Sequence, residues 1–166
     1  MKYRYAAICT ALLGLSGNCA HGAEDRLTTN QKFDDWSVMC VEKDNTRACE
    51  ARTFVSDKDG VPLVKLAVVR DSDKEMVFEV MVPLVTDLKK GIRFGVHGKH
   101  VNYVTTLPYS YCVPAGCIAK ADLGGLLSKL KIGKEIHVSY SAVLQGEVRS
   151  TSSLMGFSDA YQNLSH

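Results

Sequence analysis

Apolar residues recur at every second position along most of this chain, the pattern of strands that bury one face. Trp36, Val38 and Cys40 share one face of a first strand, and Cys49, Ala51, Thr53 and Val55 predict its partner. The polar segment Lys43-Asp44-Asn45-Thr46 lies between them as a hairpin connection. Asp57-Lys58-Asp59-Gly60 reads as a turn, Val61 to Val69 as a long apolar strand, and Asp71-Ser72-Asp73-Lys74 as a second turn. Met76, Phe78, Val80, Val82 and Leu84 alternate, with pairing expected to stop near Pro83. Ile92, Phe94 and Val96 predict another strand, His97-Gly98-Lys99-His100 a hairpin turn, and Val101, Tyr103 and Thr105 the return. The cleanest alternation runs through Ile136, Val138, Tyr140, Ala142 and Leu144, with His137, Ser139 and Ser141 opposite. Gln145-Gly146 then turns the chain back toward Val148.

Two segments change period. Leu123, Leu126, Leu127 and Leu130 form a helical stripe, with Asp122 as N-cap and Gly133 as stop. Gly124 and Gly125 weaken this helix, so it depends on packing against a sheet. Phe157, Ala160, Tyr161 and Leu164 repeat the spacing near the end, predicting a tail that docks through Phe157 and Tyr161. Seven or eight short strands separated by turns predict an all-β fold: an antiparallel sandwich or partly closed barrel with two short peripheral helices. No alternation of strand and helix supports a nucleotide-binding fold.

The first residues add a compartment. Residues 1–23 read as a cleaved signal peptide: Lys2 and Arg4, then the short apolar run from Ile8 to Leu15, then small residues ending at Ala20-His21-Gly22-Ala23. The run is too short for a bilayer span, which takes roughly 20 apolar residues. In Leu15-Ser16-Gly17-Asn18-Cys19, Asn18 intrudes on the lipoprotein pattern, so Cys19 is assigned to the discarded peptide, with acylated Cys19 as the alternative. Residues 24–166 then form one domain, long enough to bury a core, with no further apolar stretch of spanning length. Without Lys2 and Arg4 the 20 basic residues fall to 18, against 18 acidic ones. A near-neutral domain has no strong electrostatic pull toward nucleic acid or anionic lipid.

Four cysteines remain after cleavage, Cys40, Cys49, Cys112 and Cys117, and an even number in an exported chain points to disulfides. Three pairings are open. The turn-like segments inside each close pair favour Cys40–Cys49 and Cys112–Cys117, each contributing about 2–3 kcal/mol. Zinc would need tighter pairs and a reducing compartment. A thiol oxidoreductase would carry Cys-x-x-Cys at a helix start, whereas Cys112-Val-Pro-Ala-Gly-Cys117 is longer and lies between extended segments.

Catalytic signatures are missing from the rest. There is no nucleophile elbow, zinc-protease helix, phosphate loop or dinucleotide fingerprint, and nothing calls for a cofactor. His97 and His100 could face one cation across a hairpin, but Lys99 between them would repel it. His137 reads as an ordinary surface histidine. Asp34-Asp35 and Asp57-Lys58-Asp59-Gly60 read as solvated turns, the latter lacking the other ligands of a calcium loop. The candidate binding residues are Tyr109 and Tyr111, which flank Ser110 in a segment constrained by Pro108 and Cys112. Tyrosines on a rigid loop give contact area at low entropy cost; the same rings would equally serve by packing over the second bridge.

An ordered set of motifs resembles the invasion-associated locus B family of small exported bacterial proteins. It runs from Phe33-Asp34-Asp35-Trp36 with Val38, Cys40 and Cys49, through Met81-Val82-Pro83-Leu84 with Leu88 and Gly91. It continues with Pro108-Tyr109-Ser110-Tyr111-Cys112 and Gly116-Cys117-Ile118-Ala119, the leucine helix and Gly133. It ends on Ser153-Leu154-Met155-Gly156-Phe157-Ser158-Asp159-Ala160. The resemblance implies a noncatalytic exported protein linked, in some pathogenic relatives, to host-cell adhesion or entry. It carries the four cysteines over as structural disulfides and brings no catalytic residues. The partner it implies is a protein in the envelope or on a host cell. A periplasmic chaperone or structural envelope factor, and a thiol-redox protein using Cys112 and Cys117, are the alternative functions.

Overall fold

The computed structural model describes residues 27–43, 46–71 and 75–164. The signal-peptide reading of residues 1–23, Cys19 included, lies outside them. Among the described residues no helix is long and apolar enough to cross a membrane.

Among the described residues eleven strands build two antiparallel sheets, accompanied by two helices. The first sheet holds β1 (Leu27–Phe33), β2 (Trp36–Lys43), β3 (Thr46–Ser56), β4 (Pro62–Arg70), β5 (Met76–Val82), β8 (Tyr109–Val113) and β9 (Gly116–Asp122). Its order is β1-β2-β3-β4-β5-β9-β8. The second holds β6 (Ile92–Gly98), β7 (Val101–Leu107), β10 (Glu135–Ala142) and β11 (Gly146–Ser153), in the order β11-β10-β6-β7. Helices α1 (Leu123–Ile132) and α2 (Phe157–Asn163) complete the chain. The sheets face each other as a sandwich; the barrel alternative is corrected by their remaining two separate sheets.

Alternation dictates the core. Trp36, Val38, Ala51, Leu66, Val68, Phe78 and Val80 point inward from the larger sheet, and Ile92, Phe94, Val96, Ile136 and Val138 from the smaller. Phe78 and Phe94 meet with ring centroids 5.3 Å apart. In α1, Leu123, Leu126 and Leu130 are buried, and the Asp122 carboxylate accepts from the Gly124 and Gly125 N–H groups at 3.2 and 3.3 Å. That cap satisfies two donors a helix start leaves open, which offsets the poor propensity of the two glycines. The α2 ring of Phe157 packs edge-on against Trp36 at 4.9 Å, while the Trp36 indole N–H donates to the Ser153 carbonyl at 3.0 Å.

Gly156 explains the closing motif. Its φ of 82° lies in the left-handed region, and a Cβ there would overlap the Phe33 carbonyl oxygen. Only glycine lets α2 start against the β1–β2 hairpin, and so delivers Phe157 to Trp36.

The strand count is higher than the seven or eight expected. β1 shows no apolar period, since its residues from Thr28 to Lys32 are all exposed, and it exists through its backbone ladder to β2. Leu84 and Leu144, which alternation assigns inward, are corrected to exposed positions, at 54% and 87%. Pairing of β5 ends before Pro83, and β10 ends at Ala142. Beyond those points Thr86 bridges Ala142 and the Val143 N–H donates to the Val85 carbonyl at 3.0 Å. Both leucines therefore lie past the last core layer, at the same end of the sandwich.

Candidate functional site

The residues singled out by sequence fall at separate places. Tyr109 and Tyr111 lie on strand β8 rather than on a loop. A register shift between them pairs Tyr109 with Ala119 and Tyr111 with Ile118. Neighbouring positions on β9 face opposite sides, so the two rings diverge. The Tyr109 hydroxyl meets the Thr86 hydroxyl at 2.7 Å, and Thr86 donates to the Ser141 carbonyl at 3.1 Å. Burial pushes the Tyr109 phenol above its ordinary pKa, and the negative Asp87 adds to the shift while the Thr86 bond opposes it. This ring ties the two sheets together. Tyr111 is 44% exposed and donates to the Glu79 carboxylate at 3.4 Å, with the Lys120 ammonium 5.1 Å above its ring.

Disulfides join Cys40 to Cys49 and Cys112 to Cys117, each across a directly paired position of adjacent strands. Cys112 is exposed on edge strand β8, and Cys117 is buried. Asp34 and Asp35 form the exposed β1–β2 turn, and the Asp57 carboxylate accepts from the Asp59 and Val61 N–H groups, each at 2.9 Å. His100 is exposed in the β6–β7 turn, whereas His97 turns to His137, with ring centroids 4.4 Å apart. Among the described residues no group of three or more His, Cys, Asp or Glu is placed to hold a metal ion.

His97 and His137 belong to a groove of about 510 Å³ on the outer face of the four-stranded sheet. The ladder of strands sets its order. Ser139 on β10 faces Arg149 of β11 on one side and Arg93 of β6 on the other. In the next row His137 stands between Thr151 and Gly95, and in the third Glu135 is opposite His97. Gly95 supplies the floor: it carries no side chain, and a Cβ there would come within 2.7 Å of the His97 Nε2, which leans across the gap. Val104 from β7 makes an apolar wall.

Charges in the groove are mostly matched. The Arg149 guanidinium donates to the Glu147 carboxylate at 2.7 Å, and this bond holds the Glu147 carboxyl below its ordinary pKa. His137 Nε2 lies 2.8 Å from Glu135. Both pairs are open to water, where such contacts exchange readily. Arg93 differs: among the described residues it makes no ion pair and no side-chain hydrogen bond, and it is exposed. The groove thus offers guanidinium and hydroxyl donors, carboxylate acceptors and two imidazoles on one rigid face.

Sequence reasoning placed His137 and Ser139 correctly on an outward face but missed the groove. The available signal was local: Arg93, Gly95 and His97 alternate outward on one strand and Glu147, Arg149 and Thr151 on another. What alternation cannot show is that both strands flank β10.

Comparison with known proteins finds relatives along most of the chain. The chain is 28% identical over 158 residues to an invasion protein B homolog of Brucella abortus (strain 2308), covering 93% of this chain and 90% of the relative. A homolog from Brucella abortus biovar 1 (strain 9-941) matches to the same extent. The crystal structure of invasion associated protein B from Bartonella henselae superposes with a TM-score of 0.65 at 23% identity, covering 82% of this chain and 94% of that one. Its likeness extends to the two-sheet fold. The family model of the invasion associated locus B (IalB) protein matches residues 36–165, from the core tryptophan through α2, and the chain belongs to that family.

Proposed function

We propose that this chain is an exported, noncatalytic binding protein that works in the envelope or outside the cell, where it holds a partner through the groove of the four-stranded sheet. The observation that carries this reading is the groove itself: a bridge-stapled sandwich presents Arg93, Arg149, Ser139 and His137 together on an open face. Such a site is built to hold polar groups in register. Export is supported by the two disulfides, which persist in oxidising compartments. The relatives are named as invasion proteins, which supports a contribution to host-cell adhesion or invasion. Crosslinking in intact bacteria, with host cells present and absent, tests it. The wild-type chain should capture a partner that Arg93→Gln/Arg149→Gln loses. Equal capture by both, or none by either, rejects a protein partner held through the groove.

A thiol-redox role is the second reading, favoured by Cys112 lying exposed on an edge strand. It requires the Cys112–Cys117 bridge to turn over with a dithiol substrate. A bridge that resists the cell's glutathione couple removes it.

A further inference from the structure

Arg93 is the charged group of the groove with no direct partner. Its neighbours Arg149 and His137 have carboxylate partners, at 2.7 and 2.8 Å, while Arg93 has no ion pair or side-chain hydrogen bond among the described residues. A guanidinium presents a planar fork of donors that matches a carboxylate or sulfate. The Glu147 carboxylate feels the Arg93 charge through space but gives its hydrogen bond to Arg149, so the Arg93 fork is open to the anion of a ligand.

The surroundings narrow the ligand further. Ser139 separates Arg93 from Arg149, so their Cα atoms stand two strand spacings apart, about 9.6 Å. Between and beside them are the hydroxyls of Ser139 and Thr151 and the carboxylates of Glu135 and Glu147. Such a mixture of donors and acceptors suits vicinal hydroxyl groups, which both give and accept hydrogen bonds. The Val104 wall and the faces of the two imidazoles offer apolar surface for the C–H face of a sugar ring. An extended peptide would bind by adding to a sheet edge. Here the floor is formed by β10 and β6, each already paired on both sides.

We propose that the groove binds an acidic oligosaccharide, with Arg93 taking the carboxylate or sulfate and Ser139, Thr151 and Glu147 bonding the ring hydroxyls. This rests on the binding reading above and names its ligand class. The ligand's charge could come from a uronic acid or from a sulfate ester, and the test separates them.

The disulfide-bonded chain, purified from the exported fraction, is titrated with three probes while amide shifts are followed by NMR. The probes are a heparin-derived hexasaccharide, which carries sulfates and carboxylates, a hyaluronan hexasaccharide, which carries carboxylates alone, and neutral maltohexaose. At least one acidic probe should shift the amides of Gly95, Ser139 and Thr151, and maltohexaose should not. Binding of both acidic probes makes a carboxylate sufficient; binding of the heparin probe alone assigns sulfate. Arg93→Gln should weaken binding at least tenfold with an unchanged melting temperature, and Arg93→Lys should restore part of it. Thr151→Val, at an exposed position, should weaken it less. No binding of either acidic probe, binding indifferent to Arg93→Gln, or equal binding of maltohexaose overturns the proposal. A groove-dependent crosslinked partner without sugar binding removes the ligand class and leaves the binding reading standing. Sugar binding lost in Arg93→Gln, without a crosslinked partner, leaves the ligand class standing and rejects only a protein partner for the groove.

Discussion

Tyr109 and Tyr111, two positions apart on one strand, stand on opposite faces of the seven-stranded sheet. The register shift around Ser110 separates them, pairing one with Ala119 and the other with Ile118. Tyr109 turns inward to Thr86, and Tyr111 turns outward to Glu79 and Lys120. The pair that reads as a single binding surface is one structural clamp and one surface ring. Tyr109→Phe should cost about 0.5–1.5 kcal/mol through loss of the bond to Thr86. Tyr111→Phe should stay within about 0.5 kcal/mol of wild type. Denaturant midpoints at constant slope measure both.

Stability should fall on the alkaline side. Burial raises the pKa of Tyr109 and of Tyr140, and the hydrogen bond from Lys120 to Asp71 raises that of Lys120. Each group keeps its proton to higher pH in the folded chain than in the unfolded one. Their stabilisation is therefore complete below the unfolded values, about 10 for Tyr and about 10.4 for Lys, and is lost as pH rises through the folded values. Melting temperature measured from pH 8 to 11 should decline above about pH 10. Tyr109→Phe should decline less steeply, and an equal slope would contradict the assignment.

Gly156→Ala should be among the most damaging single changes outside the sheets. It places a side chain at positive φ and against the Phe33 carbonyl. A loss of roughly 3 kcal/mol or more is expected from strain and the displaced Phe157–Trp36 contact. Because Trp36 is the only tryptophan, its fluorescence reports that displacement directly.

Leu144→Ser and Leu84→Ser should change stability by no more than about 0.5 kcal/mol, although both residues continue an inward alternation. Thermal unfolding of each variant checks this, with Val80→Ala as the core comparison at about 1 kcal/mol or more.

Much of the fold was legible because period two survives wherever a strand has one face in the core. Trp36 to Cys40, Ile92 to Val96 and Ile136 to Ala142 behave as alternation demands. The same signal fails at element ends, where Leu84 and Leu144 keep the period after the ladder has stopped. It is silent on β1, whose described side chains are mostly exposed and which is held by its backbone ladder to β2 and by Phe33 packing on the core. The Asp122 cap and the Gly133 stop were legible from residue chemistry. The groove was not, because it arises from the adjacency of β11, β10 and β6, strands drawn from distant parts of the chain. A sequence shows which side of a strand is polar, but its neighbours are decided by packing.

The most direct measurement of the central claim is binding of the purified chain to intact host cells and to envelope membranes of the source bacterium, in low and in high salt. The account predicts that one of these surfaces retains the wild-type chain, that salt weakens retention, and that Arg93→Gln/Arg149→Gln abolishes it with an unchanged melting temperature. Retention of the double variant at the wild-type level, with the same salt dependence, would contradict the assignment of function to the groove.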